Sequence, residues 1–234
     1  MNQAIQNYLR SESDDYELYL QICREQLDTN GEDRDDIFHN ELMALYLLER
    51  YEEVIERYKN IAPLVESKGR LYNITGTLQT CLYKRGIQLA TSGKAEEAFE
   101  CFKESVKLDP ECQMAHYCLG QHYQDQGDPY RAMHHYYEAL KLQPEFPEIY
   151  NNLAVIQFEE ESDIKAAIAH IETAMQQDPS EVLLQKMYMS LSRLYKLIAD
   201  YDMQEHYYVK FMESLGFEME FEDDDDEDED KDEV

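Results

Sequence analysis

The chain has 234 residues with a formal net charge of -30, 43% hydrophobic residues, 19 tyrosines and no tryptophan. That length and apolar content suit one continuous core or a short repeat array, while 8 glycines and 6 prolines disfavour a strand-rich fold. The acid excess repels nucleic-acid phosphates and anionic membranes, so neither is an expected partner and basic or polar protein surfaces are.

In chain order, the N-terminus lacks the basic start and apolar run of a signal peptide. Ser13-Asp14-Asp15 can cap a helix carrying Tyr16, Tyr19, Leu20, Cys23 and Leu27, which Asn30-Gly31 ends. Leu42, Leu45, Leu48, Tyr51, Val54, Ile55, Tyr58 and Ile61 describe two amphipathic helices meeting near Glu49-Arg50. Residues 66–92 lack a strong break and read as one longer helix.

From there a repeat sets in. Pro110, Pro144 and Pro179 recur at steps of 34 and 35, and Gly86, Gly120 and Ala154 at steps of 34. Ala98, Ala132 and Ala167 keep the same period, as do Phe102, Tyr136 and Ile171. The one extra residue is placed in the turn Glu160-Glu161-Ser162-Asp163. A mid-helix glycine costs about 1 kcal/mol relative to alanine, so Gly86 and Gly120 imply a close helix contact. Ser92-Gly93-Lys94 and Gln126-Gly127-Asp128-Pro129 are turn signals between helices.

The stretch from Ala115-His116-Tyr117-Cys118-Leu119-Gly120 through Ala132, Tyr136, Ala139 and Pro144 resembles a tetratricopeptide repeat. Its neighbours on both sides do too, and a degenerate unit follows from Leu191 to Tyr208. Leu82, His116 and Tyr150 stand where the family usually has a tryptophan. The resemblance implies an all-α, right-handed superhelix of antiparallel helix pairs. We divide the chain into an N-terminal helical cap (1–34), divergent helices with the long connecting helix (35–78) and repeats at 79–112, 113–146 and 147–181. A degenerate repeat or cap (182–216) and an acidic tail expected to be disordered (217–234) complete it.

In this family the first helix of each repeat lines the concave face, where ligands lie. By register the groove residues are Tyr83, Ile87 and Ala90, then Met114, Tyr117, Gln121, Gln124 and Asp125, then Asn151, Val155, Phe158 and Glu159. Aromatic and amide side chains suit an extended peptide or a helix. Some members grip a terminal carboxylate with cations; the corresponding positions here hold Tyr83, Ile87, Tyr117 and Gln121, so that clamp is not expected. For any one groove tyrosine, packing against the next repeat is an equal reading.

Residues 217–234 hold 13 acids against Lys231 alone, leaving -18 for the rest of the chain. Solubilisation is the simplest role for them, and bait for a basic partner is the second. Phe217, Met219 and Phe221 alternate with Glu218 and Glu220, an amphipathic pattern able to enter the chain's own groove. Cys23, Cys81, Cys101, Cys112 and Cys118 form no CxxC pair and read as free thiols of a cytoplasmic protein. No spaced histidine pair marks a metal site, although His116, His122, His134 and His135 lie within one repeat. No motif names a nucleophile, and no cofactor is expected.

The expected function is therefore a non-enzymatic scaffold or adaptor holding a protein or peptide in the groove. The alternatives are an assembly factor for a basic client and, of a different class, an enzyme or metal protein on a repeat fold. Self-association through Phe211, Met212 and Leu215 at the last repeat is a further expectation.

Overall fold

The computed structural model describes residues 14–27 and 34–217. Among these residues there are eleven α-helices and no strand. None of the helices is long and apolar enough to cross a membrane. The chain divides into two compact units, at residues 1–144 and 145–234. Ser13, Asn30-Gly31 and the tail beyond Phe217 lie outside the described residues.

The first unit begins with α1 (Tyr16–Leu27), capped by Asp15, whose Oδ1 accepts the Leu18 amide at 3.0 Å. Next come α2 (Arg34–Leu47), α3 (Tyr51–Ile61) and a short 3-10 turn, Ala62–Leu64. The Asp35 carboxylate accepts the Ser67 amide at 2.7 Å and so ties the following loop to α2. The long helix read from the sequence is α4 (Lys68–Thr91). Its N-terminal part, as far as Cys81, closes a core with α1 to α3 through Ile74 and Cys81, beside Leu20, Phe38, Leu42 and Leu45. Its second half pairs with α5 (Ala95–Leu108), and α6 (Gln113–Asp125) and α7 (Pro129–Leu142) make the next hairpin.

Inside the first core sits a carboxylate. Glu41 is 1% exposed, and both its oxygens accept hydrogen bonds from Arg57, each at 3.0 Å. Arg24 Nε adds a third donor at 3.4 Å. Apolar neighbours fix the helix positions around it, and the two guanidinium groups make its charge tolerable there.

The second unit holds α8 (Pro147–Glu161), α9 (Ile164–Met175), α10 (Glu181–Leu197) and α11 (Tyr201–Ser214). Its core is Ala154, Ala167, Ile171, Met187, Leu191, Leu194 and Tyr207. Caps define the hairpins in both units. Asp128, Asp163 and Asp200 accept the amides of Arg131, Ala166 and Met203 at 3.0–3.2 Å and start α7, α9 and α11. Such a cap contributes about 1 kcal/mol.

The repeat geometry outlasts the repeat sequence. A residue with positive φ follows the first helix of five hairpins: Glu49 (56°), Gly93 (80°), Gly127 (72°), Ser162 (52°) and Ala199 (60°). Glycine supplies that conformation in the repeats at 79–112 and 113–146. Glutamate, serine and alanine adopt it elsewhere, because the flanking helices dictate the turn. Ser162 and the longer α8 take up the extra residue expected in that turn.

The close contacts inferred from Gly86 and Gly120 are present. A Cβ on Gly86 would lie 2.4 Å from the Phe102 ring, and one on Gly120 would lie 2.5 Å from the Tyr136 ring. In the third repeat the same pair is Ala154 and Ile171, both buried in one cluster. A larger small residue is matched by a smaller large one, as dense packing requires.

Candidate functional site

In the first unit, several residues expected to line a groove are engaged by neighbouring side chains. Gln121 Nε2 donates to the Tyr117 hydroxyl at 2.9 Å, and the Tyr136 hydroxyl donates to Gln124 Oε1 at 2.8 Å. Lys84 lies over the Tyr83 ring at 5.5 Å, and Ile87 packs against the Leu89, Ala98, Phe102 and Leu119 cluster. Met114 is half-buried, Gln121 is exposed, and Ala90 and Asp125 stand exposed at the helix ends.

The second unit brings its expected residues together. Asn151, Val155 and Phe158 of α8 line one cavity of about 480 Å³ with Ser190, Leu194 and Leu197 of α10. Ala154 and Ile171 are also in its wall. That volume lies within the range of peptide and small-ligand clefts. Glu159 stands in the lining with two cations, Arg193 and Lys196. Asn151, Val155 and Phe158 belong to the helix that the repeat register places on the concave face. Arg193, Lys196 and Leu197 were not singled out from the sequence. They lie in the degenerate repeat, where the small-residue period has faded and the register names no groove positions. Basic residues two and five positions beyond the buried Leu191 were the available signal.

The face of α10 that carries these cations is net basic. The helix holds Lys186, Arg193 and Lys196 against Glu181 alone. Lys186, Ser190, Arg193 and Leu197 follow the spacing of a single helical stripe. All three basic side chains are exposed, and among the described residues none of them is in an ion pair.

Two histidines of the second clear repeat, His116 and His135, form a pair. Among the described residues no group of three or more His, Cys, Asp or Glu side chains is arranged to hold an ion. His116 is buried in the aromatic place expected for it. Its Nε2 lies 3.1 Å from the Pro110 carbonyl, and its Nδ1 lies 3.1 Å from His135 Nδ1. A carbonyl only accepts, so Nε2 carries the proton of neutral His116. Its Nδ1 is then the acceptor, and His135 Nδ1–H donates. The His135 ring stacks on Tyr123 at 5.5 Å.

Burial lowers both imidazoles below the ordinary histidine range. For His135 burial is the largest cause, the nearby His116 and His134 add to it, and the result is about 4. Between about 4 and the unfolded value of 6.5 the unfolded chain binds a proton that the folded pair refuses. Stability therefore falls as pH drops through that window. Melting curves from pH 7 to 4.5 should show it. In His135→Asn, which keeps a donor but cannot titrate, the acid-dependent drop in Tm should be smaller. An unchanged slope would assign the acid sensitivity to other groups.

A family model described as Tetratricopeptide repeat matches residues 81–112. The chain carries a tetratricopeptide repeat. The tetratricopeptide-repeat fold extends well beyond that segment. The structure of YrrB, titled a TPR protein with an unusual peptide-binding site, is similar over 83% of this chain and 92% of that one, with TM-score 0.57 and 14% identity. BtubC from P. vanneervenii is similar over 94% and 96%, with TM-score 0.59 and 13% identity. A MamA protein is similar over 73% and 98%, with TM-score 0.53 and 20% identity. No curated protein matches the chain in sequence.

Proposed function

We propose that the chain is a protein-interaction scaffold, and that it receives an extended peptide or a helix of a partner in the cavity between α8 and α10. The observation that carries this reading is the cavity itself. Val155, Phe158, Leu194 and Leu197 supply apolar wall, and Asn151 and Ser190 supply hydrogen-bonding groups beside it. An apolar pocket with a few convergent polar groups is what a recognition site for alternate side chains of a peptide needs. The likeness to YrrB, whose title names a peptide-binding site, supports the reading at the level of fold.

The basic or polar partner expected from net charge is a matter of the whole field, which steers encounter. The cavity is locally different, because Arg193 and Lys196 outnumber Glu159 there. A basic client thus belongs to the acidic terminus, and the cavity suits a peptide that presents apolar and acidic side chains.

Phe158 and Leu197 are both partly exposed, at 39% and 57%, so truncating them spares the core. Affinity capture from native lysate at low salt should recover a partner with the wild type. In Phe158→Ala with Leu197→Ala, affinity should fall by about 2 kcal/mol, near thirtyfold, with an unchanged melting curve. Full retention of every captured protein by the double variant would refute the cavity as the site.

A further inference from the structure

The cavity is locally cationic in a chain of net charge -30. An acidic peptide arriving from solution meets a repulsive body first. A tethered acidic segment does not, because its effective concentration near the site is in the millimolar range (about that of a short flexible linker). One such segment follows α11 directly.

The exit of α11 is placed for it. Gln185 Nε2 of α10 donates to the Ser214 carbonyl at 2.8 Å, so the chain leaves α11 beside the first turns of α10. Gly216 turns with φ 86°, and Phe217 is 56% exposed. From the level of Gln185 to that of Arg193 is about 12 Å along the helix. A span of four extended residues covers about 13 Å, enough to reach that level from Phe217. Lys186 is exposed on the same stripe between the exit and the cavity.

The sequence of the segment matches the cavity's two chemistries. Met219 and Phe221 alternate with Glu218, Glu220 and Glu222. In extended backbone those sets point to opposite sides. The cavity offers a counterpart to each set, an apolar wall of Val155, Phe158 and Leu197 and the cations Arg193 and Lys196.

We propose that residues 218–223 of the chain's own acidic terminus occupy the α8–α10 cavity and compete with the partner for it. Met219 and Phe221 fill the apolar wall, and the alternating glutamates pair with Arg193 and Lys196. This rests on the reading of the cavity as a peptide site. It makes the occupant intramolecular and the site self-regulated: a basic surface that engages the acids draws the segment out and opens the cavity.

The test uses the full chain with a photo-crosslinking benzoylphenylalanine in place of Phe221. Irradiation should join position 221 to α8 or α10 within one molecule. Yield should fall about tenfold in Arg193→Glu with Lys196→Glu, the equivalent of two exposed ion pairs lost and reversed. Crosslinks to other surfaces, or none, overturn the proposal. So do crosslinks found only between isotope-labelled and unlabelled copies, which would make the occupant a second molecule's tail. A chain ending at Phe217 separates the two readings. If it captures a partner through Phe158 and Leu197 and the full chain gives no crosslink from position 221, the peptide site stands and self-occupancy falls. If the crosslink forms but the cavity variants capture every protein normally, self-occupancy stands and the scaffold reading falls.

Discussion

Replacing Arg57 with methionine should cost about 3–5 kcal/mol of stability, the largest effect of any single change considered. Glu41 is buried to 1% exposure and takes three of its four hydrogen bonds from Arg57. Methionine preserves the apolar stem but leaves a carboxylate among Leu42, Leu45 and Cys23 with Arg24 alone at 3.4 Å. Glu41→Gln should be milder, about 1–2 kcal/mol, because the Arg57 side chain is 34% exposed and water takes over its charge. The asymmetry is the informative result. Equal losses in urea unfolding of the two variants would mean that burial of the carboxylate is not what the arginine offsets.

Gly120→Ala is the second large effect. Alanine gains about 1 kcal/mol of helix propensity, yet its Cβ would stand 2.5 Å from the Tyr136 ring. Tyr136 is fully buried and held by its hydroxyl to Gln124 at 2.8 Å, so it has little room to retreat. Overpacking of this kind costs about 1–3 kcal/mol, which outweighs the propensity. Tyr136→Ile alone should cost a similar amount through the void it opens. The double variant reproduces the Ala154 and Ile171 pair of the next repeat. It should recover at least about 1 kcal/mol relative to the sum of the singles. Strict additivity in a thermal double-mutant cycle would show that the pairing is not what sets the residue sizes.

What could be read from the sequence follows the period. The steps of 34 at Gly86, Gly120 and Ala154 announce helix contacts, because a contact repeated in every unit leaves one residue per unit at the same interval. The long helix at 66–92 was legible from the lack of breakers, and the structure gives Lys68–Thr91. The turns at Glu49 and Ala199 were not marked as left-handed, since that conformation is imposed there by the flanking helices and not by glycine. Polar partnerships were hidden for another reason. Glu41 with Arg57, and His116 with His135, are single events that no interval repeats. The same holds for Arg193 and Lys196. They stand beside residues of α8 that the register did identify, but on a helix whose own small-residue signal has worn away.

The placement of the cysteines has a use as a reporter. All five, Cys23, Cys81, Cys101, Cys112 and Cys118, fall before residue 145, and the second unit has none. Burial pushes the thiols of Cys23, Cys81 and Cys118 up to about 12, so reagents that attack the thiolate wait for the chain to open. The rate at which the buried Cys23 and Cys81 are alkylated in native buffer, read by peptide mapping, is thus a clock for transient unfolding of the first unit. A cysteine introduced at Ser190 would start a second clock, one that runs on the accessibility of the cavity.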